Sequence, residues 1–481
     1  MKKIIISILA TLIILIGFIA FKTITAPNLQ SKVKYNSAPS LDSNSLKHFQ
    51  QAITYQTISF GDASKWDSIP FINFRKFLET TYPLVHQKLE REIVNKYSYV
   101  YKWEGKNTAL NPFILMAHQD VVPIEESTIK QWTCQPFEGT VKDGFIWGRG
   151  TTDDKINLIS ILESTEKLLQ ENFQPERTVY FVFGHDEEIG GKNGAVKVAE
   201  LFKQRNIKAD IIIDEGGIIT KEKVPGLSKP VALIGTSEKG YMSLELSVNK
   251  KGGHSSQPEN ETAIDILLKA IVRLRINPFE ARFVESTQGL MKHLGPEMDF
   301  PNNMAFANAW LFKPLIIKNY SNSGTGNAMI RTTAVPTIVN SGIKDNVVPT
   351  LATAVVNFRL LPGDSAVFVE NKVRKLINDS RVMIKHYDEN ISEASPTTPT
   401  TSIAYTLVDS IVKKSYNNVL SAPFLLIGAT DSRHFTTISD HIVKFSPMMD
   451  PIGFHGIDER VSLESYQHSL WFFEQFLRSC K

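Results

Sequence analysis

The feature that most limits what this chain can fold into is a set of three apolar runs that end in charged side chains. The runs and the residues that follow them are "FILMAHQD" at 113–120, "YFVFGHDEE" at 180–188 and "DIIIDE" at 210–215. A short apolar run of this kind is typical of a buried strand. In open α/β sheets the ligand site lies at the carboxyl ends of the strands, so the three runs predict one shared crevice.

The stretches between these runs have the period of helices. In "KINLISILESTEKLLQ" at 155–170, for example, the apolar residues fall mostly on one broad face. Strand and helix alternate up to about residue 236, which predicts an α/β fold with a mixed sheet covered by helices. From about 237 to 390 alternating strands such as "YMSLELSV" predict a smaller inserted α+β domain.

The N-terminus is distinct from the rest of the chain. After "MKK", residues 4–21 form an uncharged apolar run, and about 20 such residues can cross a bilayer. The run is long for a signal peptide, and no clear cleavage site follows it, so we expect an uncleaved signal anchor. With Lys2 and Lys3 on the cytoplasmic side, the body is predicted to be periplasmic or extracellular, and it is secreted if the segment is cleaved.

These patterns predict five segments. They are a signal anchor or signal peptide at 1–21, a polar tether at 22–45, a catalytic domain in two parts at 46–236 and 391–481, and the inserted domain at 237–390. Lys and Arg number 53 against 50 Asp and Glu, and there is no dense basic run with interleaved aromatics. Nucleic acid is therefore not expected as a partner.

A fourth acidic cluster, Asp153 and Asp154, lies in the loop "WGRGTTDDK" just before the first strong helix. Carboxylates that converge with those at the strand ends repel one another unless cations neutralise them. The mixture of carboxylate and imidazole without cysteine favours zinc at a hydrolytic site, with cobalt or manganese as substitutes. Two such ions need a carboxylate that bridges them.

At these residues the sequence resembles the M20 family of dinuclear zinc peptidases and amidohydrolases, and especially its carboxypeptidase S-like branch, which includes N-fatty-acyl-amino-acid hydrolases. The resemblance runs from "AHQDVVP" near 117 to "FHGIDERVS" near 454 and covers most of the chain outside the anchor and tether. The motifs stand in family order, as "MAHQDVVP", "WGRGTTDDK", "DEEIGG", "IIDEGG", "KKGGHSS", "NVVPTLATAVVNFRLLPGD", "GATDSRHF" and "FHGIDER".

The resemblance implies two zinc ions per subunit and a set of ligands for them. His118 would bind one ion, Glu188 and His455 the other, and Asp153 would bridge the two. The third outer ligand falls in "IIDEGG", where Asp214 is preferred over the adjacent Glu215, which strand alternation turns to the opposite side.

The resemblance also implies catalytic and substrate-binding residues. Asp120 fixes the His118 tautomer, and Glu187 is the general base. His254 polarises the scissile carbonyl, in family members often from the partner subunit, which gives the inserted domain the role of a lid or of the interface of a homodimer. Asn346, Arg359 and Arg433 are candidates for binding the substrate's amide and carboxylate. The additional imidazole of His185 is assigned no role.

The predicted activity is hydrolysis of an amide bond whose leaving amine carries a free carboxylate. The preferred substrate is a short peptide, as for a carboxypeptidase, and the alternative is an N-acyl amino acid, with a reaction that can run in reverse. A metal-stabilised binding protein on the same fold is the rival class, but the chain has Glu187 and every expected ligand position.

Overall fold

The structure is a computed structural model, and it describes residues 1–221 and 223–480, so Lys481 of the last predicted segment lies outside the described residues. The α-helices are α1 (Lys2–Ile24), α2 (Ser43–Ile53), α3 (Ile69–Thr81), α4 (Pro83–Lys88), α5 (Lys155–Gln170), α6 (Ala195–Gln204), α7 (Ala263–Ile276), α8 (Glu285–Leu294), α9 (Asn302–Ala307), α10 (Ala309–Ser321), α11 (Gly324–Ile330), α12 (Ala366–Ile377), α13 (Ile403–Ser415) and α14 (Leu463–Arg478).

The strands are β1 (Glu90–Val94), β2 (Ser98–Trp103), β3 (Phe113–His118), β4 (Thr140–Lys142), β5 (Phe145–Trp147), β6 (Val179–Gly184), β7 (Ile211–Asp214), β8 (Ile219–Thr220), β9 (Val231–Glu238), β10 (Gly240–Asn249), β11 (Gly253–His254), β12 (Thr333–Ser341), β13 (Val347–Val348), β14 (Leu351–Leu360), β15 (Met383–His386), β16 (Leu420–Leu426), β17 (Ile442–Lys444) and β18 (Arg460–Ser462). Short 3₁₀ turns lie at Ala63–Lys65, Glu126–Gln131, Glu187–Ile189, Gly295–Glu297 and Asp431–Phe435.

A large mixed sheet forms the centre of the molecule, with the order β1-β2-β6-β3-β7-β17-β9-β16 and β8 beside β9. Strand β3 runs parallel to both β6 and β7, so the carboxyl ends of these three strands meet at one edge. Residues of β3 alternate between two cores: Leu115 packs in the core that contains α5 and α14, and Ile114 in the core that contains α6. Both faces are therefore covered by helices, as the sequence predicted.

A second sheet, of order β12-β14-β10-β15, has a core of its own with α7 and α12. The chain leaves the large sheet after β9 and returns at β16, which pairs in parallel with β9. The segment between them also contains α8, whose Leu290 and Leu294 share a core with Leu420 and Ala422 of β16. The small sheet is thus an insertion between two neighbouring strands, and the boundaries at 237 and 390 stay predictions.

Helix α1 is long and apolar enough to cross a membrane, and it has no buried residue. Residues 26–42 contain neither helix nor strand, but they contact the folded body. The Gln30 side chain donates to the carbonyl oxygens of His293 and Ser421 (both 3.0 Å) and accepts from Lys413 Nζ (2.7 Å). Part of the segment predicted to be a polar tether therefore lies along the body.

Candidate metal centre and active site

The side chains that follow β3, β6 and β7 converge, because these adjacent parallel strands end at the same edge of the sheet. His118 ends β3, Glu187 and Glu188 form a 3₁₀ turn after β6, and Asp214 ends β7. Asp153 comes from the loop before α5. This predicted convergence is what the structure contains.

Asp153 occupies the middle of the cluster, with one carboxylate oxygen toward each of two groups. Its Oδ1 lies 2.9 Å from His118 Nε2, which is itself 3.3 Å from Glu215 Oε1. Its Oδ2 lies 2.7 Å from His455 Nε2, which is 3.3 Å from Glu188 Oε2. Asp153 therefore lies between two groups of side chains, each of which contains one imidazole and one further carboxylate.

In the structure Glu215, and not the preferred Asp214, is the carboxylate beside His118, and the choice of the third outer ligand stays a prediction. The Asp214 side chain points the other way, where its Oδ2 accepts from the backbone N–H of Ser432 at 2.7 Å. Its Oδ1 accepts from the N–H of Glu215 at 3.0 Å. Asp214 therefore holds the loop at 431–435 against the strand end.

Carboxyl groups in the cluster are held at raised pKa values. Burial, followed by the charge of Asp153, raises the pKa of Glu188 to about 7 and that of Glu215 well above its ordinary value. Burial also raises the pKa of Glu187, to which the nearby charges of Asp431 and Glu188 contribute. The three acids cannot all ionise together unless positive charge is added.

The same carboxylates raise the pKa values of the two imidazoles. The hydrogen bonds with Asp153 and then Glu188 raise the pKa of His455 to about 10. Burial lowers the pKa of His118, but the carboxylates of Glu215, Asp120 and Asp153 outweigh it and raise that pKa well above the ordinary value. The buried carboxylates therefore favour protonated imidazoles, and bound cations would neutralise the same carboxylates instead.

The donor set fits divalent cations such as zinc, which bind histidine nitrogen and carboxylate oxygen. Two buried carboxylate oxygens, Glu188 Oε1 and Asp154 Oδ2, have no hydrogen-bond partner among the described residues. Buried polar atoms of this kind are rare without a partner or an ion. Groups of potential ligand atoms within 4.8 Å of one another include His118 with Asp153 and Glu188, and His118 with Asp154 and Glu215.

Asp120 supports both the imidazole and the acidic turn. His118 Nδ1 lies 2.9 Å from the Asp120 backbone oxygen and 3.4 Å from its carboxylate Oδ1. The carboxylate also accepts from the backbone N–H groups of Glu187 and Glu188, both at 3.1 Å, and from Ser59 Oγ at 2.6 Å. Asp120 therefore fixes His118 and the turn that carries the two glutamates.

The loop that carries Asp153 is held by a residue that the sequence reasoning missed, Glu459. Its Oε1 accepts from the backbone N–H groups of Gly150 (3.0 Å) and Thr152 (2.8 Å), and its Oε2 pairs with Arg149 Nη1 at 2.5 Å. Both partners of the ion pair are buried. The signal was present, because Glu459 lies in the motif "FHGIDER" and Arg149 in "WGRGTTDDK".

Asp186 and His185 take no direct part in the cluster. Asp186 accepts from the backbone N–H groups of Asn193 and Gly194 at the start of α6, as a scaffold residue would. His185 Nδ1 lies 2.7 Å from Ser98 Oγ, and its ring packs between Trp66 and Tyr97. The additional imidazole thus belongs to an aromatic core beside the site.

Two of the predicted substrate-binding residues lie near the cluster. Arg433 donates to the Gly190 carbonyl oxygen at 3.2 Å, just after the acidic turn. The Arg359 guanidinium lies 4.8 Å from the centre of the Tyr241 ring. Burial lowers the pKa of Arg359, the charge of Arg433 lowers it further, and the charge of Glu187 raises it. The charges of Arg433 and Glu187 therefore both act on Arg359.

His254 and Asn346 are brought together elsewhere. Strands β11 and β13 form a two-stranded ribbon in which His254 pairs with Val347, and the N–H of Ser255 donates to the Asn346 carbonyl oxygen at 3.1 Å. Both side chains are exposed, and His254 Nδ1 lies 2.8 Å from Ser256 Oγ. Within the described residues, neither has a hydrogen bond or ion pair with the cluster.

The mixed α/β sheet and the cluster of imidazoles and carboxylates at its strand ends are those of a metal-dependent hydrolase. The chain belongs to peptidase family M20/M25/M40, whose model matches residues 114–479. It is 39% identical over 484 residues to "Probable carboxypeptidase S-like 2" of Dictyostelium discoideum, covering 97% of this chain and 92% of that protein. It is 35% identical over 485 residues to "N-fatty-acyl-amino acid synthase/hydrolase PM20D1" of Xenopus tropicalis, covering 98% and 94%.

Among solved structures, the M20 family metallo-carboxypeptidase Sso-CP2 from Sulfolobus solfataricus has the same fold. The TM-score is 0.68 at 20% sequence identity, covering 92% of this chain and 99% of that one. The resemblance stated from the sequence motifs is confirmed. The chain is accordingly a metallopeptidase or amidohydrolase of this family.

Proposed function

We propose that the chain is a zinc-dependent hydrolase that cleaves the amide bond to a residue with a free carboxylate, acting as a carboxypeptidase on short peptides. The observation that carries the proposal is the position of Asp153, whose two carboxylate oxygens face two separate groups of ligand atoms. His118 and Glu215 form one group, and His455 and Glu188 the other.

These five residues would hold two cations. When bound there, the cations polarise the scissile carbonyl and lower the pKa of the attacking water. Neutralisation of the acidic cluster would then allow Glu188 and Glu215 to lose the protons that burial retains on them. The neutral imidazoles that this requires are the metal-binding form of histidine.

Glu187 is the proposed general base. It follows the strand end directly and is held by Asp120 through its backbone N–H. Burial raises its pKa, and a more basic carboxylate accepts a proton from water more readily before it gives that proton to the leaving amine nitrogen. The carboxylate would carry that proton between the two steps.

Arg359 and Arg433 would bind the free carboxylate of the leaving residue. A guanidinium forms two parallel hydrogen bonds with a carboxylate, which gives direction as well as charge. Their proximity to Glu187 supports this role, because the leaving nitrogen must lie within reach of the base.

His254 and Asn346 would act on the substrate of a partner subunit in a homodimer. Both are exposed and adjacent in the β11–β13 ribbon, and they lack contacts with the cluster in their own chain. An imidazole and an amide supplied by a second copy would contact the substrate's carbonyl oxygen from outside the crevice.

Helix α1 would anchor the enzyme in a membrane, with the catalytic body on the exported side. Its 23 residues include an 18-residue window of mean hydropathy 3.0. Lys2 and Lys3 lie at the N-terminal end of α1, and positive residues favour the cytoplasmic side.

The proposal is tested with the purified full-length chain, chelated and then reloaded with zinc, on dipeptides with a free or an amidated carboxylate. We expect turnover only with zinc. Amidation should lower kcat/KM by about 30-fold or more, since loss of a buried charge pair costs roughly 2–5 kcal/mol. Equal kcat/KM on the blocked and free substrates would contradict the role of the carboxylate.

A second candidate substrate is an N-acyl amino acid. It is favoured by the 35% identity to the Xenopus synthase/hydrolase over 98% of this chain. The same assay distinguishes the two if each dipeptide is matched with short- and long-chain N-acyl derivatives of the same leaving residue. A higher kcat/KM on the N-acyl series would support the hypothesis that the chain is an N-acyl-amino-acid hydrolase.

A further inference from the structure

The C-terminal half of α1 packs against the helices that follow α8. The Asn308 side chain, between α9 and α10, donates to the Ile19 carbonyl oxygen at 3.2 Å and to Thr23 Oγ1 at 3.1 Å. The rings of Phe18 and Trp310 meet edge to face, with centroids 6.0 Å apart. The apolar helix is therefore attached to the body along one side near its end.

Helix α10 presents an apolar face to the outside. Trp310, Leu311, Pro314 and Leu315 are exposed and recur at the spacing i, i+1, i+4 and i+5, which places them on one face. Trp310 is 54% exposed and Leu315 60%. In a helix that faces water this stripe would normally be turned inward.

Further exposed groups lie near this face in the sequence. Phe300, just before α9, is 74% exposed. Lys313 and Lys318 of α10 are also exposed and flank the apolar stripe. Tryptophan and lysine beside exposed aliphatic residues are the composition of a segment that lies in the headgroup region of a bilayer.

The seam between α1 and the body contains a cavity of about 750 Å³. Its walls include Phe18 and Phe21 of α1, Met291 of α8, Phe306 of α9 and Trp310 of α10. The lysines at 22, 292 and 313 also line it. An apolar space with basic groups suits the acyl chains and phosphates of lipids.

The chain after α1 keeps the body close to this seam. Asn28 donates to Glu297 Oε1 at 2.6 Å, and Gln30 bonds to the His293 and Ser421 carbonyl oxygens. Residues 28 and 30 are thus fixed against α8, the 3₁₀ turn that follows it, and β16.

We propose that Phe300 and the exposed face of α10 form a docking surface that lies in the outer interface of the bilayer that α1 crosses. The proposal rests on the proposed anchor. Trp310 and Leu315 enter the headgroup region beside Phe18, lipid acyl chains fill the seam, and Lys313 and Lys318 contact the phosphates. The enzyme body is then held against the membrane surface instead of moving at the end of a flexible tether.

The test is a depth measurement on the full-length chain in phospholipid vesicles. Cys134→Ser removes the partly exposed thiol, and the other cysteine, Cys480, is buried. A spin label is placed at Leu315→Cys on α10 or, as a matched exposed position, at Val367→Cys on α12, which is 68% exposed. We expect the label at 315 to collide more with oxygen, which is lipid-soluble, than with a water-soluble nickel chelate. The label at 367 should show the reverse, and equal behaviour at the two positions overturns the proposal.

A second measurement removes the surface itself. With the label at Phe300→Cys, the double variant Trp310→Asp/Leu315→Asp should lose the preference for oxygen. The control Leu268→Asp/Val272→Asp, on the exposed face of α7, should keep it. An unchanged label in the α10 variant overturns docking. If alkaline carbonate extracts the unlabelled chain from the vesicles, the proposed membrane anchor is overturned as well. None of these outcomes depends on hydrolysis.

Discussion

The strand-end crevice and the β11–β13 ribbon differ in how complete each is within one chain. In the crevice, His118 and His455 each lie within hydrogen-bond distance of one carboxylate oxygen of Asp153. In the ribbon, His254 and Asn346 are exposed and bond only locally. The difference indicates that the proposed cation site is complete within one chain, whereas the proposed carbonyl-binding groups of the ribbon would need a second chain to complete a site.

The largest expected effect comes from the base in the crevice. Glu187→Gln should lower kcat by about 10²–10⁴-fold, because proton transfer by a positioned side chain contributes that much. Zinc content should remain that of the parent, since Glu187 is not among the five proposed ligands. Metal analysis and steady-state kinetics on the same preparation check both. Glu188→Gln, which removes a ligand, is the contrast and should lose zinc.

The ribbon is tested next. His254→Ala should lower kcat by about 10²–10³-fold, the loss typical of one group that stabilises an oxyanion. Zinc affinity should not change, because the ribbon contributes no ligand, and Ser256→Ala should have a smaller effect.

Mixing the His254→Ala chain with the Glu187→Gln chain then separates the two regions by subunit. Recovery of activity is expected, since one subunit supplies an intact crevice and the other an intact ribbon. A mixture that stays inactive under conditions where subunits exchange would mean that His254 serves its own chain.

A weaker effect, on zinc affinity, is expected from a change of Glu459, which holds the loop that carries Asp153. Glu459→Gln breaks the buried pair with Arg149 and loosens the loop that carries Asp153. Zinc affinity should fall by about 10–100-fold, as it does when residues that orient metal ligands are changed. Competition with a chromophoric chelator measures this, and Glu464→Gln, whose side chain is 75% exposed, is the control that should leave affinity unchanged.

The smallest effect concerns pH. Burial raises the pKa of Glu188 to about 7, so the native state binds a proton more tightly than the unfolded chain does. The contribution of Glu188 to the free energy of unfolding has its full value below the ordinary pKa of 4.5. That contribution is lost as the pH rises through 7. His455, with its pKa raised to about 10, continues the loss at higher pH.

Denaturant titrations of the chelated protein should therefore show the free energy of unfolding falling by about 1–3 kcal/mol between pH 5 and 8. Added zinc should reverse the slope, because its binding competes with protons. If the free energy of unfolding of the chelated protein rises over that range, burial and mutual repulsion do not raise the pKa values of these acids in the folded state.

The sequence predicted the crevice well, since the carboxyl ends of parallel strands must meet at one edge of the sheet. It favoured Asp214 over Glu215, but the orientation of Asp214 depends on the backbone N–H of Ser432, 218 residues away in the chain. The contacts of Gln30 with the body are equally distant in sequence. Local pattern predicts where a strand ends, whereas tertiary contacts decide which of two neighbouring side chains turns inward.

The most direct test of the central claim is a crystal structure of the zinc-loaded chain with anomalous scattering at the zinc edge. We expect two peaks with Asp153 between them, His118 and Glu215 at one, and His455 and Glu188 at the other. A single peak, or Asp214 in place of Glu215 at the first ion, would contradict the arrangement proposed for this crevice.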